Sequence, residues 1–588
     1  MKVSRIFELP YYQLEHFPQN DSLAAKENGS WTKYSTQDFI DNATNISYGL
    51  LSLGISKDDK VGIISNNRPE WNFVDIGILQ IGAVNVPIYP TISESDYKFI
   101  LNDAEVKIVF VSDEELYQKI QNIKADVPNI QEVYTFNEVN GAKNWKEVLE
   151  AGKSYDNKDS LDSLKDAVTP DDLATLIYTS GTTGTPKGVM LTHNNLVSNF
   201  SAIDPLPHAE PGDKALSFLP LCHVYERALT YMYMMGGIRI YYAETMETIG
   251  ENLKEVKPTI FTSVPRLLEK VYDKIVAKGS ELTGIKKKLF FWALNLGLRY
   301  DHFGKNGWWY EFQLSIANKI IFNKWREALG GNVQNIVSGG AALQVRLARV
   351  FWAAQIPVLE GYGLTETSPV LAVSNFKPEG RKFGTVGPVL EGVEIKIAAD
   401  GEILCKGPNI MKGYYKRDDL TKEVIDEDGW FHTGDIGVLE DGRYLKITDR
   451  KKEIFKTSGG KYIAPLPLES KFKESILIEQ IMVIGEGQKF AAALIFPSFD
   501  NVKIWCEKNE VTYSSNKEVI KDEKVLAQFN REIEIYNKEF GSWETIKKFE
   551  LVSEEWTPQS GLLTPTLKLK RKIIMEKYKD LVENIFSN

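Results

Sequence analysis

The chain has 588 residues, too many for one hydrophobic core, because cores stop growing at roughly 250 to 300 residues, so two or three domains are expected. Apolar residues make up 43% and charged residues 26%, a balance that excludes a disordered or fibrous chain. A formal net charge of -10 excludes broad attraction to nucleic acid, so any anionic ligand has to meet a local basic site.

Met1 to Pro10 carries Lys2 and Arg5 and lacks the apolar stretch of a signal peptide, so export is not expected. The expected location is the cytoplasm, with the inner face of a membrane as a peripheral site. Cys222, Cys405 and Cys506 stand far apart without CxxC spacing and read as buried thiols in a reducing compartment. The apolar tract Trp71 to Pro90 is interrupted by Asp75, Gln80, Asn85 and Pro87, so it reads as a buried helix followed by a strand rather than a membrane span.

Taken in chain order, Val- and Ile-rich runs at 60–65, 106–112, 174–179, 258–263 and 335–338 alternate with helix-like segments, the rhythm of parallel βαβ layers. The segment from Gly284 to Gly331 holds Phe290, Phe291, Trp292, Trp308, Trp309, Phe312 and Trp325 among lysines. It is read as a helical hairpin covering a hydrophobic channel, with contact to a membrane surface as the second reading. Gly-punctuated short strands between Gly384 and Asp449 suggest a β subdomain. Past Arg450 a strand pair near 480–484 and 490–497 suggests a small α+β domain. The expected fold is α/β: domain 1–450, including a β subdomain at about 384–449, and a C-terminal domain at 451–588.

The densest chemical signal is Tyr178-Thr-Ser-Gly-Thr-Thr-Gly-Thr-Pro-Lys-Gly-Val189, directly after an apolar strand. Gly181, Gly184 and Gly188 allow close backbone approach, the hydroxyls donate hydrogen bonds, and Lys187 supplies charge, all of which suit phosphate. It is not a Walker A loop, since GxxxxGK[ST] is absent. A plain turn is the bland reading of such a cluster. The segment closely resembles the phosphate-binding signature of the adenylate-forming superfamily, which includes acyl-CoA synthetases, luciferases and peptide-synthetase adenylation domains.

The resemblance continues in the family's order over roughly Phe7 to Tyr578. It implies that Thr179, Ser180, Gly181, Thr182, Thr183 and Gly184 hold the ATP phosphates, with Thr182 also near the metal. Gly361-Tyr-Gly-Leu-Thr-Glu-Thr367 resembles the adenine and metal motif: Tyr362, between Gly361 and Gly363, would stack on adenine, Thr365 would touch the α-phosphate, and Glu366 would hold Mg²⁺. Asp435 and Arg450 match ribose-binding positions and Lys452 the inter-domain hinge. The loop holding Gly459 and Gly460 would serve coenzyme A after the mobile C-terminal domain rotates.

Gly561-Leu-Leu-Thr-Pro-Thr-Leu-Lys-Leu-Lys-Arg571 departs from the P-S-G-K element of small-acid enzymes and resembles the long-chain fatty acyl-CoA synthetase branch. That match puts Lys568 at the catalytic position beside Lys187, Thr365 and Glu366. His223 and Val264, in segments that resemble the borders of the acyl pocket, read as pocket wall, while Ser338, Gly339 and Gly340 resemble the strand-loop between adenine and acyl carboxylate. The resemblance therefore implies ATP, Mg²⁺ and coenzyme A with a fatty acid substrate. A fatty acyl-AMP ligase, an aryl or medium-chain acid ligase and a non-catalytic lipid-binding protein are the alternatives, and a homodimer is one option for assembly.

Overall fold

The computed structural model describes residues 2–180, 186–564 and 567–587, Ser180 by its backbone alone. Its contacts divide the chain into two compact units. The first comprises Met1–Lys396, Leu404–His432 and Glu440–Leu445; the second comprises Ile397–Ile403, Thr433–Leu439 and Lys446–Asn588. The chain crosses between them within the strands Glu394–Ile397, Glu402–Lys406, Phe431–Glu440 and Tyr444–Arg450.

The first unit is built on two eight-stranded sheets. One runs Gly413–Tyr414, Pro186–Thr192, Leu173–Ser180, Val84–Ile88, Lys60–Ile64, Val106–Val111, Glu132–Thr135 and Lys143–Asn144 in spatial order. The other runs Val370–Val373, Val358–Gly363, Asn335–Ser338, Ile260–Ser263, Lys214–Ser217, Arg239–Tyr242, Leu23–Glu27 and Ser30–Tyr34. The runs expected to be strands are strands, and the sheet interiors are parallel as expected. Three of the four margins are not, while at the fourth Glu132–Thr135 pairs parallel with Lys143–Asn144. Leu173–Ser180 pairs antiparallel with Pro186–Thr192, because a short connection cannot make the crossover that parallel pairing requires.

The tract from Trp71 forms the helix Pro69–Gln80, ended by Gly82 at φ 71°, and then the strand Val84–Ile88. Every residue of this helix is buried, which explains its lack of amphipathic period. Its polar Asp75 is matched by Arg227 of the helix Val224–Met235. Arg227 Nη2 donates to Asp75 Oδ1 at 2.5 Å, Nη1 to Thr175 Oγ1 at 2.8 Å and Nε to Tyr231 Oη at 2.6 Å. Tyr231 closes the ring by donating to Asp75 Oδ2 at 2.5 Å. Two helices and one strand are thereby fixed by a fully satisfied buried charge pair, so Arg227, in a segment expected to border the acyl pocket, has a structural duty.

The second unit is centred on the sheet Ile478–Ile484, Ala491–Pro497 and Ile546–Leu551. Ile481, Val483, Ala493 and Ile495 face a core with the helices Pro465–Phe472 and Glu523–Asn537, while the alternating Met482, Ile484, Leu494 and Phe496 face a second core closed by the C-terminal helices. The period of two thus serves two apolar faces. All three cysteines are buried and free.

Replacing Arg227 by Leu leaves Asp75 buried without its cation, and the expected loss is about 3–5 kcal/mol. Urea unfolding of Arg227→Leu should give a lowered midpoint, and the double variant Asp75→Leu/Arg227→Leu should recover most of it. An unchanged midpoint in the single variant contradicts this account of the network.

Candidate active site

In the hairpin formed by Leu173–Ser180 and Pro186–Thr192, Thr179 pairs directly with Lys187 and Ser180 with Pro186. Thr179 and Lys187 therefore share one face at the base of the Gly/Thr loop. The expected phosphate ligands Gly181, Thr182, Thr183 and Gly184 lie outside the described residues. Gly188 follows from packing, since a Cβ there would sit 3.0 Å from the Tyr178 ring.

The short strand Gly413–Tyr414 pairs with Pro186–Thr192 and brings in a residue that motif reading missed. The Lys187 ammonium lies 5.0 Å from the centre of the Tyr414 ring, and the Tyr414 hydroxyl donates to Glu366 Oε1 at 2.8 Å. Burial, followed by the Glu366 charge, pushes the Tyr414 hydroxyl well above its usual range, so it stays a donor. Lys187 and Glu366, far apart in sequence, are thus joined through one phenol.

Glu366 sits in a one-turn helix, Thr365–Thr367, that follows the strand Val358–Gly363. The turn is held from several sides. Met411 N–H donates to the Glu366 carbonyl at 2.9 Å, Asn409 Nδ2 to the Thr367 carbonyl at 2.8 Å, and Leu364 N–H to Thr367 Oγ1 at 3.0 Å. Gly363 is obligatory, because a Cβ would lie 1.8 Å from the Pro369 carbonyl oxygen. The Thr365 side chain is buried, and Tyr362 is half-buried against the main core.

The remaining first-unit candidates gather at the carboxyl ends of adjacent parallel strands, the place where α/β sheets bind ligands. Ser263, Ser338 and Glu360 stand in register across three strands. Val264 follows Ser263 and caps the helix Pro265–Glu281. Gly339 and Gly340 follow Ser338; a Cβ on Gly339 would meet the Tyr225 ring at 3.2 Å, and Gly340 has φ 82°. Ser338 Oγ is buried with no hydrogen-bond partner among the described residues. His223 caps the helix Val224–Met235, its Nδ1 accepting from Tyr225 N–H at 3.2 Å. That local bond fits a wall residue rather than a base.

Two carboxyls, Glu360 in this row and Glu226 on the helix Val224–Met235, were not singled out by motif reading. Burial alone pushes Glu360 up to about 8. Burial also pushes Glu226 up to about 7 against the pull of two hydroxyls, Ser217 Oγ at 2.6 Å and that of Thr262. Glu226 lies in the segment that resembles the acyl-pocket border and Glu360 just before the Gly361–Thr367 motif, but the burial that sets both carboxyls comes only with the assembled fold.

In the second unit Arg450 Nε lies 3.5 Å from Asp435 Oδ1, so these two candidates form one pair. Lys452 is exposed between tethered neighbours: Lys451 Nζ reaches Asp400 at 2.6 Å and Glu402 at 2.8 Å, and Glu453 accepts from Arg571 at 3.1 Å. Gly459 and Gly460 lie in the turn between Phe455–Lys456 and Tyr462–Ile463, with Gly460 at φ 80°. The loop bearing Lys568 is closed by Thr564 N–H donating to the Lys568 carbonyl at 2.8 Å and Lys568 N–H donating to Thr564 Oγ1 at 3.0 Å.

Residues 12–415 match the AMP-binding enzyme family and residues 452–588 the AMP-binding enzyme C-terminal domain. The chain belongs to the AMP-binding enzyme family. Among named relatives, the long-chain-fatty-acid–CoA ligase FadD15 of Mycobacterium bovis is 34% identical over 95% of this chain and 93% of its own length. The peroxisomal long chain acyl-CoA synthetase 7 of Arabidopsis thaliana is 32% identical over 98% of this chain and 85% of its own length. In fold, the adenylation domain of a carboxylate reductase from Mycobacterium chelonae aligns with a TM-score of 0.77 at 22% identity, covering 99% of this chain and 91% of that one.

Glu360 binds its proton more tightly when folded, so its contribution to stability is fully present below about pH 4.5 and is lost as the pH rises through about 8. Glu360→Gln stays neutral. Its melting temperature relative to the parent protein should climb across that window and level off above it, whereas a difference independent of pH would contradict the burial argument.

Proposed function

We propose that the protein activates a long-chain fatty acid with ATP as an acyl-AMP and transfers the acyl group to coenzyme A, releasing pyrophosphate and AMP. The observation that carries this reading is the Lys187–Tyr414–Glu366 line. It lies one turn beyond the strand whose Glu360–Gly363 end adjoins the small-residue row at Ser338–Gly340. Polyphosphate chemistry and an acyl carboxylate are thereby served by one continuous segment. The full-length likeness to long-chain-fatty-acid–CoA ligases supports the choice of acid.

In the first step a carboxylate oxygen attacks the α-phosphorus, the bond from that phosphorus to the bridging oxygen breaks, and pyrophosphate leaves with the electron pair. Two anions must approach, so the barrier is chiefly electrostatic. Lys187 and Lys568 supply positive charge, Thr179 and the adjoining Gly/Thr loop supply donors, and Asp435 with Arg450 holds the ribose. In the second step the sulfur of coenzyme A attacks the carbonyl carbon, its proton passes to solvent, and the carbon–oxygen bond to AMP breaks. The turn at Gly459–Gly460 serves that step by letting backbone approach the thiol arm.

Glu366 suits a hard divalent cation such as Mg²⁺. One carboxylate oxygen takes the Tyr414 hydrogen bond and the other has no hydrogen bond among the described residues. Such an ion, when bound, neutralises charge on the phosphate oxygens.

AMP release from ATP and palmitate tests the reading. It should require coenzyme A for multiple turnover, fall by at least about 10²-fold in Lys568→Ala and by about tenfold in Tyr414→Phe, which deletes one hydrogen bond to a carboxylate. AMP formation indifferent to coenzyme A indicates an acyl-AMP ligase. Preference for an aryl or medium-chain acid moves the substrate class, and fatty-acid binding without ATP consumption leaves a lipid-binding protein.

A further inference from the structure

The helix Trp308–Ala317 is apolar on both sides. Tyr310, Leu314 and Ala317 face the core, and Tyr310 donates to the Leu296 carbonyl of the neighbouring helix Gly284–Leu298 at 2.6 Å. The opposite side also carries large apolar groups, with Trp308 79%, Trp309 57% and Phe312 52% exposed, followed one turn apart by Ile316 and Ile320. An outward-facing stripe of this kind is the pattern of a helix whose outer face meets something other than water. Nine of the nineteen exposed large apolar side chains among the described residues fall between Ile285 and Ile320.

Charge marks the same ground. Residues 284–324 hold seven Lys and Arg against Asp301 and Glu311 alone, within a chain of net charge -10. Lys286, Lys287 and Lys288 are exposed on the first turn of the helix Gly284–Leu298, beside exposed Ile285, and Lys319 and Lys324 are exposed after the second helix. None of these five lysines has a carboxylate within ion-pair distance among the described residues. The aromatics are arranged for an interface as well: Trp308 packs edge-on against Trp309 at 5.7 Å, and Trp309 stacks on Phe312 at 5.6 Å, forming a continuous plate.

We infer that this face, the outward side of Trp308–Ala317 with the lysine-bearing start of Gly284–Leu298, docks onto an anionic lipid surface. Indole rings sit at the boundary between headgroups and acyl chains, where an amphipathic ring is satisfied on both sides, and lysines beside them pair with lipid phosphates. Local positive excess in an acidic protein favours this occupant over a second copy of the chain, whose net charge is of the same sign. The surface requires no membrane-spanning helix, and no helix among the described residues is long and apolar enough to cross a membrane. The inference is independent of which acid the site takes, although a long-chain acid partitions into the same surface.

Flotation of the full-length protein with vesicles of phosphatidylcholine, with and without phosphatidylglycerol, tests it. Binding is expected with phosphatidylglycerol only and should weaken with added salt. The triple variant Trp308→Ser/Trp309→Ser/Phe312→Ser should lower it by at least about tenfold, because those rings supply most of the inserting area. Its melting temperature and its turnover of a dissolved acid should be retained, and Trp543→Ser, at an exposed tryptophan of the second unit, should bind vesicles as the parent does. Vesicle binding unchanged in the triple variant overturns the inference. So does absence of vesicle binding, and a dimer in solution that the triple variant disperses would then assign the face to a second copy.

Discussion

The hydrogen bond from Tyr414 to Glu366 is the constraint on which the site depends. It closes a path from the hairpin that carries Lys187, across the short strand Gly413–Tyr414, to the turn that follows Val358–Gly363. Each of these is a separate piece of backbone, and none is fixed by local propensity alone. A two-residue strand cannot hold itself in place; here it is added to the edge of an eight-stranded sheet, and its phenol then sets the carboxylate. The turn must also be inflexible, which explains the amide donors from Asn409 and Met411 and a glycine at 363 that no other residue could replace.

Beneath this line the first unit is held by charges with complete partnering. Arg227 uses three nitrogens on Asp75, Thr175 and Tyr231, so a costly buried ion becomes a rigid link between helices and sheet. Glu226 and Glu360 differ, since neither has a cation beside it, and burial therefore drives both toward the neutral form. The row of strand ends is in this sense a low-dielectric place, where an added charge on a ligand would be felt strongly.

Much of this was legible in the sequence because it is written locally. Alternating Val- and Ile-rich runs gave strands, the tract from Trp71 gave a buried helix and strand, and dense motifs singled out Lys187 and Glu366, while Asp435 falls in the middle of the strand Phe431–Glu440. Tyr414, Glu360 and the Asp75–Arg227 pair were not legible, since each gains its role from a neighbour far along the chain. The same limit applies to the aromatic segment: counting rings suggested a channel cover, whereas only the packed helices reveal that Tyr310 and Leu314 are buried while Trp308 and Trp309 point outward.

The central claim is that a carboxylate oxygen attacks the α-phosphorus of ATP. The most direct measurement uses palmitate labelled with ¹⁸O in both carboxyl oxygens and mass spectrometry of the products after turnover with coenzyme A. The account predicts one ¹⁸O in AMP and none in pyrophosphate. Label retained wholly in the acyl product or its hydrolysate, or appearing in released phosphate, would contradict it.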